Sequence, residues 1–268
     1  MSRAAAYRQV ARFSAGGWSD AQRAIPEEAP VAIVPNGRAF AAVMATPADL
    51  EDLAVGFAVT ERLVGAAAEI CDVEIGAVDE GYEARITVPA ARAEALAARR
   101  RAFAARTSCS LCGLEDLDLL LAAKPTPRPP GLAVPPEALL AAMSALPNAR
   151  SLTAATHGLH AAGWIDPAGA LALTREDVGR HNALDKTIGA LFRQGLDPAA
   201  GAICLTSRCS IEMVLKAATV GVGLIAAASS PTELAVRAAE AAGIALVAGV
   251  RDGAFDVYAC AGLLGRAA

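Results

Sequence analysis

No run in this sequence is long and apolar enough to cross a bilayer as a helix. The longest weakly polar stretch, residues 217–230, falls short of the ~20 residues required and is interrupted by Thr219, Gly221 and Gly223. Residues 1–25 lack a compact apolar segment followed by a small-residue cleavage site, so no secretory signal is read and the cytoplasm is the expected compartment. An excess of basic residues is also missing. With 24 Lys+Arg against 28 Asp+Glu, a formal charge of -4 and a pI near 5.5, the chain carries no global footprint for nucleic acid, although a local basic groove could hold a phosphate. Six cysteines are too few and too irregularly placed for a secreted disulfide scaffold. Neither Gly-x-Gly-x-x-Gly after a strand nor Gly-x-x-x-x-Gly-Lys-Ser/Thr occurs, which removes the usual support for dinucleotide or P-loop binding. No internal repeat is evident.

What is present suffices for one large or two modest domains, because 268 residues, 54% hydrophobic and 19% charged, can bury a substantial core. Residues 1–26 read as an extended arm or edge strand. A hairpin is expected around Asn36-Gly37, the strongest short turn signal. A helix capped by Thr46, with Pro47 in its first turn, should follow, ending near residues 63–65. Strands are expected at 73–75 and 82–88, closing a small α+β domain over 1–105. Residues 106–135 hold a close cysteine pair and the stiff segment 125–130, rich in proline. From 136 to 268 helices and strands alternate. Helices are expected at 136–146, from 178, at 210–218 and at 231–242. Strands are expected at 151–156, 170–173, 202–205, 223–227, 244–248 and near 257. The fold class is therefore α/β, with a mostly parallel or mixed sheet covered by helices.

The segment 174–188, Thr-Arg-Glu-Asp-Val-Gly-Arg-His-Asn-Ala-Leu-Asp-Lys-Thr-Ile, organises this second domain. Apolar residues recur at Val178, Leu184, Ile188 and Leu191, close to a helical period, which would place Asp177, His181 and Asp185 on one helical face. Such a face entered from a strand is where open α/β sheets keep ligands. A solvated face with ion pairs four residues apart is the competing reading. Loops after the strands supply His157, His160, Arg175, Arg180, Arg208 and Arg251, with Ser207 and Ser210 at a helix start. Arg forks and a helix N-terminus are what a pyrophosphate needs. Asp177 or Glu212 could accept from a guanine edge, and Asp177 could equally lock Arg180 or His181. Cys71, Cys204 and Cys260 read as small buried hydrophobes.

Cys109 and Cys112 stand in Thr-Ser-Cys-Ser-Leu-Cys-Gly, after an Arg-rich stretch ending at Arg106. Two cysteines so spaced can hold half a zinc site, form a reversible disulfide or carry persulfide sulfur. Zinc would need two more ligands, and no second Cys-x-x-Cys is present, so no metal site is assigned. A thioredoxin-like motif would sit at a helix start after a first strand, which this pair does not. A loop able to visit two partners suits a persulfide carrier, and nearby Arg favours the thiolate.

These residues carry a resemblance to the FdhD family of formate dehydrogenase accessory sulfurtransferases. It runs from Glu28 through Asn36-Gly37, Thr46-Pro47, Gly56-Phe57, Thr60-Glu61, the Cys109–Cys112 loop and 156–160. It continues over Glu176-Asp177-Val178-Gly179-Arg180-His181-Asn182-Ala183 with Asp185-Lys186, then Arg208, Ser210, Glu212, Lys216-Ala217, Ser230-Pro231 and Leu234-Ala235. The resemblance implies a second domain similar to the cytidine deaminase fold, without its metal chemistry. It implies a cytoplasmic homodimer that takes sulfur from a cysteine desulfurase and passes it to the bis-molybdopterin guanine dinucleotide cofactor, with molybdenum or tungsten, before insertion into the formate dehydrogenase catalytic subunit. GDP and GTP become surrogate ligands. Cys109 matches the persulfide-bearing cysteine and Cys112 its neighbour. Gly249, Val250, Arg251, Asp252, Gly253 and Ala254 lie where the family contacts the cofactor, and Arg208, Ser210, His160 and Arg180 complete the expected site. Ser110, His157 and Ser207 stand where the family usually has Gly, and Gly249 where an aromatic is common. A cofactor-binding chaperone without sulfur chemistry is the alternative, and a deaminase-like hydrolase lacks its His/Cys-x-Glu and Pro-Cys-x-x-Cys motifs.

Overall fold

The computed structural model describes residues 4–94, 134–147, 149 and 151–264, so the expected Cys109–Cys112 loop and the Pro-rich segment lie outside the described residues. Two strands, β1 (Ala5–Ser14) and β2 (Gly17–Pro26), pair as an antiparallel ribbon where an extended arm was expected. A four-stranded sheet follows, with β3 (Ala29–Pro35), β4 (Ala41–Ala45), β5 (Asp72–Val78) and β6 (Gly81–Thr87) in the order β4-β3-β6-β5. The Asn36-Gly37 turn forms as expected, both residues having positive φ, and the Asn36 amide clamps Val88 through bonds to its N–H and C=O. Val31, Ile33, Ala84 and Ile86 of this sheet pack against α1 (Leu50–Thr60) through Leu53, Ala54 and Phe57.

The second unit contains α2 (Pro136–Ala145), α3 (Ser151–Thr156), β7 (His160–Ile165), β8 (Leu171–Asp177), α4 (Arg180–Arg193) and β9 (Ala202–Leu205). After these come α5 (Ile211–Thr219), β10 (Leu224–Ala227), α6 (Glu233–Ala242), β11 (Ala245–Arg251) and β12 (Ala254–Ala259). Its six strands run β12-β11-β10-β9-β7-β8. One face packs on α4, α5 and α6 through Leu184, Ile188, Met213, Val214 and Ala235; the other packs on α2 through Leu139, Ala142 and Leu146.

Three expectations are corrected, while of the two sheet forms expected, mostly parallel or mixed, the mixed one is found: only β9/β10 and β10/β11 pair in parallel while β7, β8 and β12 are antiparallel. The short Asp166–Gly169 turn between β7 and β8 makes a hairpin, and a parallel crossover would need a dozen or more residues. Residues 151–156 form a helix and not a strand, because the Glu176 carboxylate accepts the N–H groups of Leu152 and Thr153 at 3.0 and 2.7 Å, satisfying the helix start from a distant strand. Thr46 does not cap α1. That helix begins at Leu50 after Asp49 in a left-handed conformation, and the buried Thr46 hydroxyl instead accepts the Val178 N–H at 3.1 Å. Asp177 ends β8, so it does not share a helical face with His181 and Asp185.

The two units meet along α1 and α4, which approach so closely that a Cβ at Gly56 would strike the Asp185 carbonyl and one at Gly189 the Asp52 carbonyl. Buried ions stitch the same seam. Lys186 Nζ lies 2.6 Å from Asp177 and 2.9 Å from the Thr46 carbonyl, both ions wholly buried; Asp177 also accepts the Thr46 N–H, and the Asn182 amide donates to the Met44 carbonyl at 2.7 Å. Further along, Lys216 donates to Asp185, Glu61 and Thr60, and Asp52 pairs with both Arg175 and Arg193. Burial works to discharge Lys216, but Asp185 and Glu61 outweigh it and raise its pKa.

Gly189→Ala should therefore destabilise the protein by about 3 kcal/mol or more, because the obstacle is backbone on a packed helix. Gly16→Ala, with open space around it, should stay within about 0.5 kcal/mol in the same urea titration.

Candidate functional site

Strand register gathers the expected site residues at one edge of the six-stranded sheet. Leu205, Ala227 and Ala248 stand level on β9, β10 and β11, and three residues further on lie Arg208, past the end of β9, and Arg251, the last residue of β11. The antiparallel β7 begins at this edge: Ala162 faces Leu205, which places His160 level with Ser207, and His160 in turn faces Asp177 at the end of β8. The chain turns there through Val178 and Gly179 into α4, so Arg180 and His181 form its first turn. Ser210 precedes α5 next to them.

Contacts confirm the convergence of α4 and α5. His181 Nε2 lies 2.9 Å from Glu212 Oε2, and the Ser210 hydroxyl donates to the same oxygen at 3.0 Å. Neither helix start receives a side-chain capping bond, so their first N–H groups are left for an anion. The Nε of Arg180 is buried and has no hydrogen-bond partner among the described residues, which is uncommon for a buried donor. Burial is the main cause that lowers the pKa of His160, assisted by Arg180 and His181 and opposed by Asp177. Burial, then Arg180 and Lys216, lower that of His181 against the opposing pull of Glu212. Glu212 is lowered too: burial acts to raise it, but His181, the Ser210 hydroxyl and Arg180 together prevail.

The Gly249–Ala254 segment is the hairpin joining β11 to β12, with Arg251 facing Ala254 and positive φ at both Asp252 and Gly253, as a type I′ turn requires. Gly249 also has positive φ, a conformation that glycine adopts without the strain a side chain would bring. His157 adopts φ 56, a left-handed value that glycine accepts without strain, and is exposed, whereas Ser207 keeps a negative φ in its turn. Gly158 is required by packing, since the Pro26 ring of β2 occupies the space of its Cβ.

Two expected ligands are engaged elsewhere. Arg175 pairs with Asp52 on the far side of the seam, and Asp177 is buried with Lys186, Gly179 and Asn182. Of the two carboxylates considered for reading a base, Glu212 alone stays accessible, its side chain 55% exposed. The role of Asp177, Asn182 and Lys186 in the seam was missed, although each sits in the charged run close to the buried Ala183, Leu184 and Ile188. Among the four described cysteines, burial pushes Cys204 and Cys209 up to about 12, which keeps them as inert thiols, and Cys260 is also raised by burial. Cys71 is exposed, not buried as expected, because it lies before β5 at the rim of the small sheet. Cys109 and Cys112 lie outside the described residues. Among the described residues no cluster of three His, Cys, Asp or Glu is arranged to hold a metal ion, and no helix is long and apolar enough to cross a membrane.

A mixed α/β protein whose large sheet ends in a group of Arg, His and Glu side chains is the class this geometry defines. Comparison with known proteins narrows it. The sequence profile of the FdhD/NarQ family matches residues 26–264, and the chain belongs to that family. It is 41% identical over 256 residues to the sulfur carrier protein FdhD of Agrobacterium fabrum, covering 95% of this chain and 94% of that protein. It is 44% identical over 234 residues to the sulfur carrier protein FdhD of Bordetella petrii, covering 87% and 84%. A crystal structure from Desulfotalea psychrophila, described as a formate dehydrogenase accessory protein, superposes with a TM-score of 0.77 over 96% of this chain and 97% of that one at 24% identity, which shows a shared fold.

The site also fixes a pH dependence. Both His160 and His181 bind protons less readily folded than unfolded, so acidification through the free histidine value of about 6.5 favours the unfolded chain. The thermal midpoint should fall between pH 7.5 and 5.5, and the double variant His160→Gln/His181→Gln should show a shallower fall in the same scan.

Proposed function

We propose that the chain is a sulfur carrier required for formate dehydrogenase activity. It takes persulfide sulfur from a cysteine desulfurase and passes it to bis-molybdopterin guanine dinucleotide before that cofactor enters the dehydrogenase. The observation that carries this reading is Arg180 in the first turn of α4, its Nε buried and without a hydrogen-bond partner among the described residues, in a chain related to proteins named sulfur carriers. A diphosphate fits this edge: Arg180, Arg208 and Arg251 supply positive charge, the α4 and α5 starts supply N–H donors, and Ser210 and His160 border it. Hairpin 249–254 would close over the dinucleotide, and Glu212 would accept from the base.

Cys109 would be the carrier. Its thiolate attacks the outer sulfur of the desulfurase persulfide, forming a new S–S bond on Cys109 and releasing the desulfurase cysteine as thiolate. Cys112 then either attacks the Cys109 sulfur, breaking the persulfide bond to form a Cys109–Cys112 disulfide with release of hydrosulfide, or steadies the loaded loop. The domain division at 1–105, 106–135 and 136–268, kinship of the last part with the cytidine deaminase fold, a cytoplasmic homodimer, and docking on the dehydrogenase catalytic subunit belong to the same reading. The α4 and α5 starts of this chain present Arg180, His181 and Glu212 rather than three metal ligands, which fits an anion site better than a hydrolytic one.

The test is sulfur loading by a cysteine desulfurase and cysteine, read as a gain of about 32 Da per sulfur in intact mass, with dehydrogenase activity measured in cells carrying each variant. Cys109→Ala should lose both. Cys112→Ala should retain loading with altered yield, and Cys71→Ala, the exposed described thiol, should behave as wild type. Full dehydrogenase activation by Cys109→Ala would leave the protein as a cofactor-binding chaperone.

A further inference from the structure

We propose that His181 accepts a proton when an anionic, phosphate-bearing ligand enters the edge at Arg180, with Glu212 as the residue that positions its imidazole. The inference rests on the anion site of the preceding section, and it goes beyond binding by assigning the charge change that accompanies it.

Among the described residues the charged groups that act on His181 come from three elements. Arg180 precedes it on α4, Glu212 and Lys216 face it from α5, and His160 from β7 is coupled to it. Among these groups two cations and partial burial act on the imidazole against the Glu212 carboxylate, so the neutral form is favoured at neutral pH. A phosphate placed against the Arg180 guanidinium and the two helix starts cancels the charge that holds the ring neutral. It also adds negative charge within a few ångströms of the ring. The same burial that disfavoured a lone imidazolium then strengthens its attraction to the anion.

His160 experiences the same ligand, yet the two rings repel each other when both are charged, so one proton is expected and not two. Geometry assigns it to His181. Its Nε2 already has an acceptor in Glu212 at 2.9 Å, and Ser210 fixes that carboxylate through the same oxygen. The carboxylate nearest His160 is Asp177, which is wholly buried and committed to Lys186 at 2.6 Å. Net proton uptake makes the affinity for phosphate ligands rise as pH falls from about 8 towards 7, while Glu212 remains ionised throughout.

The chain has three histidines, so their ring signals are separable by nitrogen-15 NMR, and the exposed His157 serves as an internal control. The full-length protein is titrated with pH alone, with saturating inorganic pyrophosphate and with saturating GDP; binding is read independently from the backbone amides of residues 179–183 and 210–213. Without ligand His181 should titrate below about 6.5, and with either ligand its midpoint should rise by about one pH unit or more, with His157 unchanged. Glu212→Gln should lower the His181 midpoint in both states, and His160→Gln should leave the ligand-induced rise intact. Amide shifts that report binding while the His181 midpoint stays fixed, or a rise confined to His160, would overturn the proton assignment and leave the anion site standing. Absence of amide shifts with both ligands would overturn the anion site and the proton assignment together.

Discussion

Lys186 is the group on which the rest of the structure depends. A lysine with no exposed surface would be discharged or expelled from a protein core unless its charge were met on several sides. Here the charge is met by the Asp177 carboxylate and by the Thr46 and Glu176 carbonyls, two from the strand before α4 and one from the end of the small sheet. Asp177 needs its own donors and finds them at Thr46, Gly179 and Asn182. The cluster is satisfied only when the two units are joined. A buried ion pair of this kind adds little net stability, but removing one partner costs about 3–5 kcal/mol, so it enforces a single arrangement more than it strengthens it. Two glycines on facing helices make that arrangement sterically possible, and the Lys216 cluster repeats the device one helix further along.

Function follows from where this cluster ends. Asp177 and Asn182 hold the turn at Gly179, and the next residues, Arg180 and His181, face the sheet edge where β7, β9 and β11 also deliver side chains. One segment of fifteen residues thus locks the fold with its buried half and brings Arg180 and His181 to the sheet edge with the other. The small unit helps to fix the turn from which Arg180 starts, through Met44 and Thr46.

Much of this was legible in the sequence. Strands β9, β10 and β11 and helices α5 and α6 fell close to their expected positions because each is short, apolar and bounded by turn residues. The Asn36-Gly37 turn and the importance of the 174–188 run were equally visible. What failed did so for long-range reasons. Segment 151–156 looks like a strand by local composition, but Glu176 supplies acceptors for its first N–H groups and makes a helix of it. Thr46 and Pro47 form a good capping signal, and a contact with Val178, 132 residues away, takes the Thr46 hydroxyl instead. The charged run was open to two readings, a solvated face or a ligand face, because periodicity assigns residues to faces without saying that a second unit would cover one of them. Asp177, Asp185 and Lys186 turned out to belong to neither.

The central claim is that buried ions along the seam make both units one cooperative structure. Native-state hydrogen exchange across low denaturant concentrations tests it most directly, comparing amides of Ile33 and Ala84 in the small sheet with those of Ile203 and Ile225 in the large one. The account predicts a common opening free energy and denaturant slope in the wild type, with both sets falling together by about 3 kcal/mol or more in Lys186→Met. Opening of the small-sheet amides at a distinctly lower free energy in the wild type, with the large sheet unaffected by Lys186→Met, would contradict it.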